Sequence, residues 1–159
     1  MKYVAILLVV VLIASAAGVG WLYMNANVVV EATGVMAVDA ATQPELFARL
    51  RNQVETGRVN GTLFQSGTLG SAEQYQFYTY TVRLRNDCFF TADMVELQVT
   101  PMTGDVLQLG DETARALPAR TSGDIQATIL TDASMHSVRE LNITYYMWGV
   151  PFSLRTTTR

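Results

Sequence analysis

The chain is poor in the side chains that carry most enzymatic chemistry. Its 159 residues include one cysteine, Cys88, one histidine, His136, and one lysine, Lys2. A lone cysteine excludes an intrachain disulfide. It leaves two readings, a small buried hydrophobe or a thiol that pairs between chains. A lone histidine would leave a metal ion with carboxylates as its other ligands, and no D-x-D-x-D loop is present, so neither a metal nor a cofactor is expected. Asp132, Ser134 and His136 are the residue types of a hydrolase triad. Three such residues inside one short loop point in diverging directions, whereas a working triad draws on separate elements. No catalytic residue is assigned, and a non-enzymatic role is expected. Gly67 and Gly70 lack the Lys-Ser or Lys-Thr that follows a phosphate loop. Asp111 and Glu112 read as a solvated turn. The net charge of −3 and a pI near 5.0 argue against nucleic acid as a partner.

Charge is absent altogether from residues 3–24, YVAILLVVVLIASAAGVGWLYM. As a helix these residues would cover roughly 33 Å, enough for a hydrocarbon core of about 30 Å. This stretch reads as a membrane anchor. Lys2 precedes it, and Glu31 and Asp39 follow it well before the next arginine, Arg49. The positive-inside bias therefore places the N-terminus in the cytoplasm and the remainder outside. Trp21 and Tyr23 stand at the outer end, where aromatic rings favour the headgroup layer. Lys2, Trp21 and Tyr23 are the expected membrane-interface residues. The competing reading is a signal peptide cleaved near Ala16, after the small-x-small site Ala14-Ser15-Ala16, which would release a secreted domain.

About 135 residues remain, one domain by size. They read as mainly β, an Ig-like antiparallel sandwich of about seven strands with turn signals every 8–12 residues. Residues 28–38 are rich in β-branched side chains, and Gly34 among them suggests a bulge. Residues 75–86 alternate, with Tyr78, Tyr80, Val82 and Leu84 on one face. Val95, Leu97 and Val99 are expected inward, as are Ile125, Ala127 and Ile129, and Leu141, Ile143, Tyr145 and Met147. One helix is expected over about 42–56. Thr42 and Glu45 form a capping box, Pro44 suits the first turn, and Gly57 the C-terminal stop. Its stripe of Leu46, Phe47, Leu50 and Val54 is expected to plug an edge or end of the sheets.

Three segments carry a likeness to a known family. YTVRLRN ends at Asn86, VELQVTPMTGDVL runs from Val95 to Leu107, and LPARTSGDIQATI from Leu117 to Ile129. Residues 75–130 thus resemble bacterial exported Ig-like domains of the FxLYD type. The resemblance implies an exported or membrane-anchored sandwich and carries over no functional residue. Gln98-Val99-Thr100 stands where the Leu-Tyr-Asp of that family would be.

The remaining candidate surface is aromatic. Tyr75 and Phe77 alternate to the non-core face of one strand, and Tyr146 and Trp148 to that of another. Exposed, they would mark a protein or lipid contact; covered by the helix, they would be core. The expected function is an extracytoplasmic interaction or assembly module of the cell envelope. Its partners would be the bilayer and an envelope or membrane protein, and a homo-oligomer is left open. The alternative is a domain that holds a lipid or glycan between the aromatic faces.

Overall fold

The charge-free run forms one helix, α1 (Lys2–Met24). A helix satisfies its own backbone polar groups, so an apolar run needs no partner chain to take this form in lipid. None of its residues is buried against the rest of the protein. It is long and apolar enough to cross a bilayer. The computed structural model describes residues 2–25, 27–110 and 115–158. Asp111 and Glu112 lie outside the described residues.

Nine strands follow among the described residues: β1 (Val28–Asp39), β2 (Gly61–Leu63), β3 (Tyr75–Asn86), β4 (Ala92–Val99), β5 (Asp105–Leu109), β6 (Arg115–Leu117), β7 (Ser122–Asp132), β8 (Glu140–Met147) and β9 (Val150–Thr157). All pairings are antiparallel. One sheet has the order β1-β3-β7-β5-β2 and the other β6-β4-β8-β9. The expected seven strands become nine. β6 escapes the alternation rule because three residues are too few to show a period.

The two sheets close on the side chains that alternation assigned inward. Tyr80, Val82, Leu84, Leu97, Ile129, Leu141, Ile143 and Met147 are buried together between them. At about 1.5–3 kcal/mol for each large side chain removed from water, this layer is the main stabilising term.

The helix α2 (Pro44–Thr56) packs on the five-stranded sheet. It lies on the outer face of that sheet, over the end away from α1, so the expected end is right and the face it covers is the addition. Phe47, Leu50 and Val54 form a second core there with Leu69, Phe77, Leu107 and Leu130. β7 is therefore buried on both faces, with Ile129 inward and Leu130 under the helix.

Two local expectations are also corrected. Thr42 caps no helix: it closes a 3-10 turn (Ala40–Thr42), and its hydroxyl donates to the Asp39 carbonyl at 2.7 Å. A cap on Thr42 would require helical backbone at Gln43, directly before Pro44, and the proline ring disfavours that. Helix α2 starts one residue later, with Pro44 in its first turn and Gln43 in a non-helical conformation (φ −126°, ψ 62°) before it. The β1 bulge falls at Glu31, between Val30 and Ala32, while Gly34 pairs regularly with Thr81. Gly57 ends α2 as expected, in the left-handed conformation (φ 65°). The Arg58 N–H returns to the Gln53 carbonyl at 2.9 Å, and that of Gly57 to Val54 at 3.2 Å.

Candidate functional site at the helix-proximal end

β1 begins where α1 ends, and Val28 pairs with Asn86 at the end of β3. This end of the sandwich is built around Asn86, whose amide is fully buried. Its Nδ2 donates to the carbonyls of Phe90 (2.7 Å), Leu117 (3.0 Å) and Pro118 (3.2 Å), and its Oδ1 accepts from the Cys88 N–H at 2.9 Å. One side chain thus ties the β3–β4 loop to the connection between β6 and β7.

Cys88 then ties the loop to the residues that follow α1. Its thiol is buried, accepts from the Asn27 N–H at 2.9 Å, and lies 3.3 Å from the Asn25 carbonyl. The Asp87 N–H donates to the Asn27 carbonyl at 3.1 Å. On the other side, the Tyr23 ring sits 5.5 Å from Phe152, which stacks on Tyr145 at 5.5 Å and 12°. The Cys88 side chain is taken up by these contacts, as the buried reading expects.

Large apolar side chains are exposed around this junction. Phe89 is 64% exposed and Trp148 46%. Phe90 meets Trp148 edge to face at 4.7 Å, and the Arg120 guanidinium lies 4.3 Å above the Phe89 ring. Together with Trp21, Met24 and Cys88 these residues line an open hollow of about 450 Å³. Among the described residues, three other than glycine have positive φ: Met94 (50°), Arg120 (58°) and Trp148 (53°). All three belong to this end. Trp148 and Gly149 (φ 77°) make the two-residue hairpin between β8 and β9, with positive φ at both positions, as a type I′ turn requires. Asparagine usually takes the first of these positions. A bulky side chain there costs about 1–2 kcal/mol, and Trp148 recovers no core burial for it.

The four aromatic residues singled out by alternation do not form one patch. Phe77 is 3% exposed beneath α2, and Tyr75 is half-buried with its ring 5.6 Å from Phe47. Both belong to the far end of the five-stranded sheet, where Tyr75 pairs with Asp132. Tyr146 lies on the outer face of the other sheet, paired with Pro151, and Trp148 lies at the near tip. The helix covers Phe77, which is core, while Tyr75 is half-covered and keeps an exposed side. Phe89, Phe90, Met94 and Arg120 were not anticipated. Two adjacent phenylalanines just after a strand-breaking Asn-Asp were the available signal.

At the far end, Asp132 accepts from Ser134 through N–H (2.8 Å) and hydroxyl (2.6 Å), while His136 faces Arg139 at 3.5 Å. The serine proton points to the carboxylate and the imidazole engages a guanidinium, so these three do not form a catalytic relay. Asp105 and Arg139 form a fully buried two-point ion pair, at 2.8 and 3.1 Å. Burial raises the Asp105 pKa, but the Arg139 and Met102 N–H donors outweigh it and hold the carboxyl below its ordinary value. Burial pushes the Tyr80 phenol up to about 12, against the pull of Arg139. Among the described residues no group of three or more His, Cys, Asp or Glu side chains converges.

The chain matches no family model and no curated protein. Among solved structures it is similar to the GAE domain of yeast GGA1, with a TM-score of 0.35 and 14% identity over 57% of this chain and 94% of that one. It is also similar to the cupredoxin domain of amoB from Nitrosocaldus yellowstonii, with a TM-score of 0.37 and 10% identity over 82% and 84%.

Proposed function

We propose that this protein is a non-enzymatic, single-pass membrane protein whose extracytoplasmic sandwich is an assembly module for another membrane or envelope protein. The observation that carries this reading is the state of the four sheet edges. β2 and β6 are three residues long, and the β9 edge is interrupted by Pro151 and Arg155. These are ordinary ways to blunt an edge. β1 is not blunted. It is 12 residues long, carries no charge from residue 32 to 38, and contains neither lysine nor proline. Its Met36 is 61% exposed. Such an edge is a template for an added strand, in which main-chain bonds supply affinity and alternate side chains supply selectivity.

The likeness to FxLYD-type exported domains supports the exported, anchored setting. In that setting β1 starts at the membrane and runs away from it. A second copy in the same membrane would present β1 in the same direction, so two such edges could pair only in parallel, the weaker ladder. The added strand is therefore assigned to a different protein.

A photo-crosslinking amino acid at Met36, in cells carrying the full chain, tests this. The expected result is a discrete heterologous adduct from Met36 and none from Gln98 on the polar face of β4. Monomer alone at Met36, equal labelling at both positions, or an adduct of twice the chain mass would overturn the assignment.

A further inference from the structure

We infer that the helix-proximal tip is itself a lipid contact: Phe89, Phe90 and Trp148 enter the bilayer interface beside α1, and Arg120 meets lipid phosphate there. This rests on the reading that α1 spans a membrane. The first support is the length and rigidity of the junction. Residues 25–27 reach about 10 Å at full extension, and Cys88 and Asp87 hold Asn25 and Asn27 on the same loop that carries Phe89 and Phe90. The tip therefore cannot swing far from the end of α1. Trp21 lines the same hollow as Phe89 and Trp148. If Trp21 sits at headgroup level, as an anchor's terminal tryptophan does, its neighbours across the hollow are at that depth too.

The chemistry of the tip fits that layer. Aromatic rings with a cation on top of them match acyl chains below and phosphates above. The nearby Asp87 carboxylate is engaged by Arg85 at 2.8 Å, which leaves it partly neutralised as a source of repulsion. Asp93, on β4 next to Met94, remains exposed and lies opposite Tyr146, on the strand that leads to the tip. The strain points the same way. Two of the three left-handed residues other than glycine, Arg120 and Trp148, line this hollow, one presenting a cation and the other an apolar ring. Strain of that kind persists where an exposed conformation is used. A protein partner on the same tip is the competing occupant. It is disfavoured because the anchor leaves little room between tip and lipid.

The two tryptophans make the test direct, because the chain contains only Trp21 and Trp148. The full chain is reconstituted in vesicles of phosphatidylcholine brominated at shallow or deep acyl positions. In Trp21→Phe, the remaining emission from Trp148 is expected to be lost to shallow bromine more than to deep bromine, and to shift to the blue on reconstitution. Unquenched Trp148 emission would overturn the inference. The reciprocal Trp148→Phe chain reports on α1 separately. Quenched Trp21 beside unquenched Trp148 leaves the anchor standing and removes the lipid-bound tip. In vesicles enriched in anionic lipid, Arg120→Glu on the Trp21→Phe background is expected to weaken the quenching, and unchanged quenching would overturn the phosphate contact.

Discussion

Arg139 and Asp105 show how much a single pair can decide. Neither side chain touches solvent, and Arg139 also donates to the carbonyls of His136 (2.6 Å) and Val138 (2.9 Å). Asp105→Asn leaves that guanidinium short of its counter-charge, so it should cost about 3–5 kcal/mol in denaturant unfolding. The pH dependence has a definite sign. A carboxyl held lower in the folded state than in the unfolded chain stabilises above the ordinary aspartate range of about 4 and loses that contribution as pH falls below it. The wild-type acid slope should therefore be shallower in Asp105→Asn. Phe77 and Trp148 make a second contrast. Phe77→Ala should cost about 3–5 kcal/mol, the range for a buried aromatic. Trp148→Ala should cost about 1 kcal/mol or less, because its ring is half-exposed and its backbone is strained. Equal losses at the two sites would contradict the division into core and surface. Alternation put both residues on outward faces. It cannot see a helix that arrives later to cover one of them.

Elements were legible to the degree that their own residues specify them. Long strands with period-two burial were readable because β3, β4, β7 and β8 each bury one face on the other sheet. The stop at Gly57 was readable because a left-handed C-terminal residue is a local requirement. The face that α2 covers was not. An amphipathic stripe says which side is buried, and the partner depends on Phe77, Leu107 and Leu130, which are distant in sequence. The helix start was misplaced by one residue because the capping pattern and the pre-proline restriction conflict, and the steric term won. The strained tip was the least visible feature. Left-handed backbone at Met94, Arg120 and Trp148 contradicts what those residue types prefer, so propensity points away from it. At the β1 edge, Met36→Lys should change stability by less than about 0.5 kcal/mol. It should also remove the heterologous adduct from a crosslinker placed at the exposed Gly34, where an added side chain meets open space, because an edge lysine opposes strand addition. A large loss of stability would mean that Met36 is packed in the monomer.

At the scale of the whole molecule, α1 and the sandwich are held together by contacts on both sides of their junction. The thiol of Cys88 fastens Asn25 and Asn27, and the Tyr23, Phe152 and Tyr145 rings brace the end of α1 against the sandwich. This geometry sets the direction of β1 and the position of the aromatic tip, and both functional proposals depend on it. They fail together if α1 is removed after export. The most direct measurement is the intact mass of the chain recovered from membranes after alkaline carbonate extraction. The account predicts a membrane-retained polypeptide that still contains residues 2–24. A chain that begins at Ala17 and appears in the carbonate supernatant would contradict it.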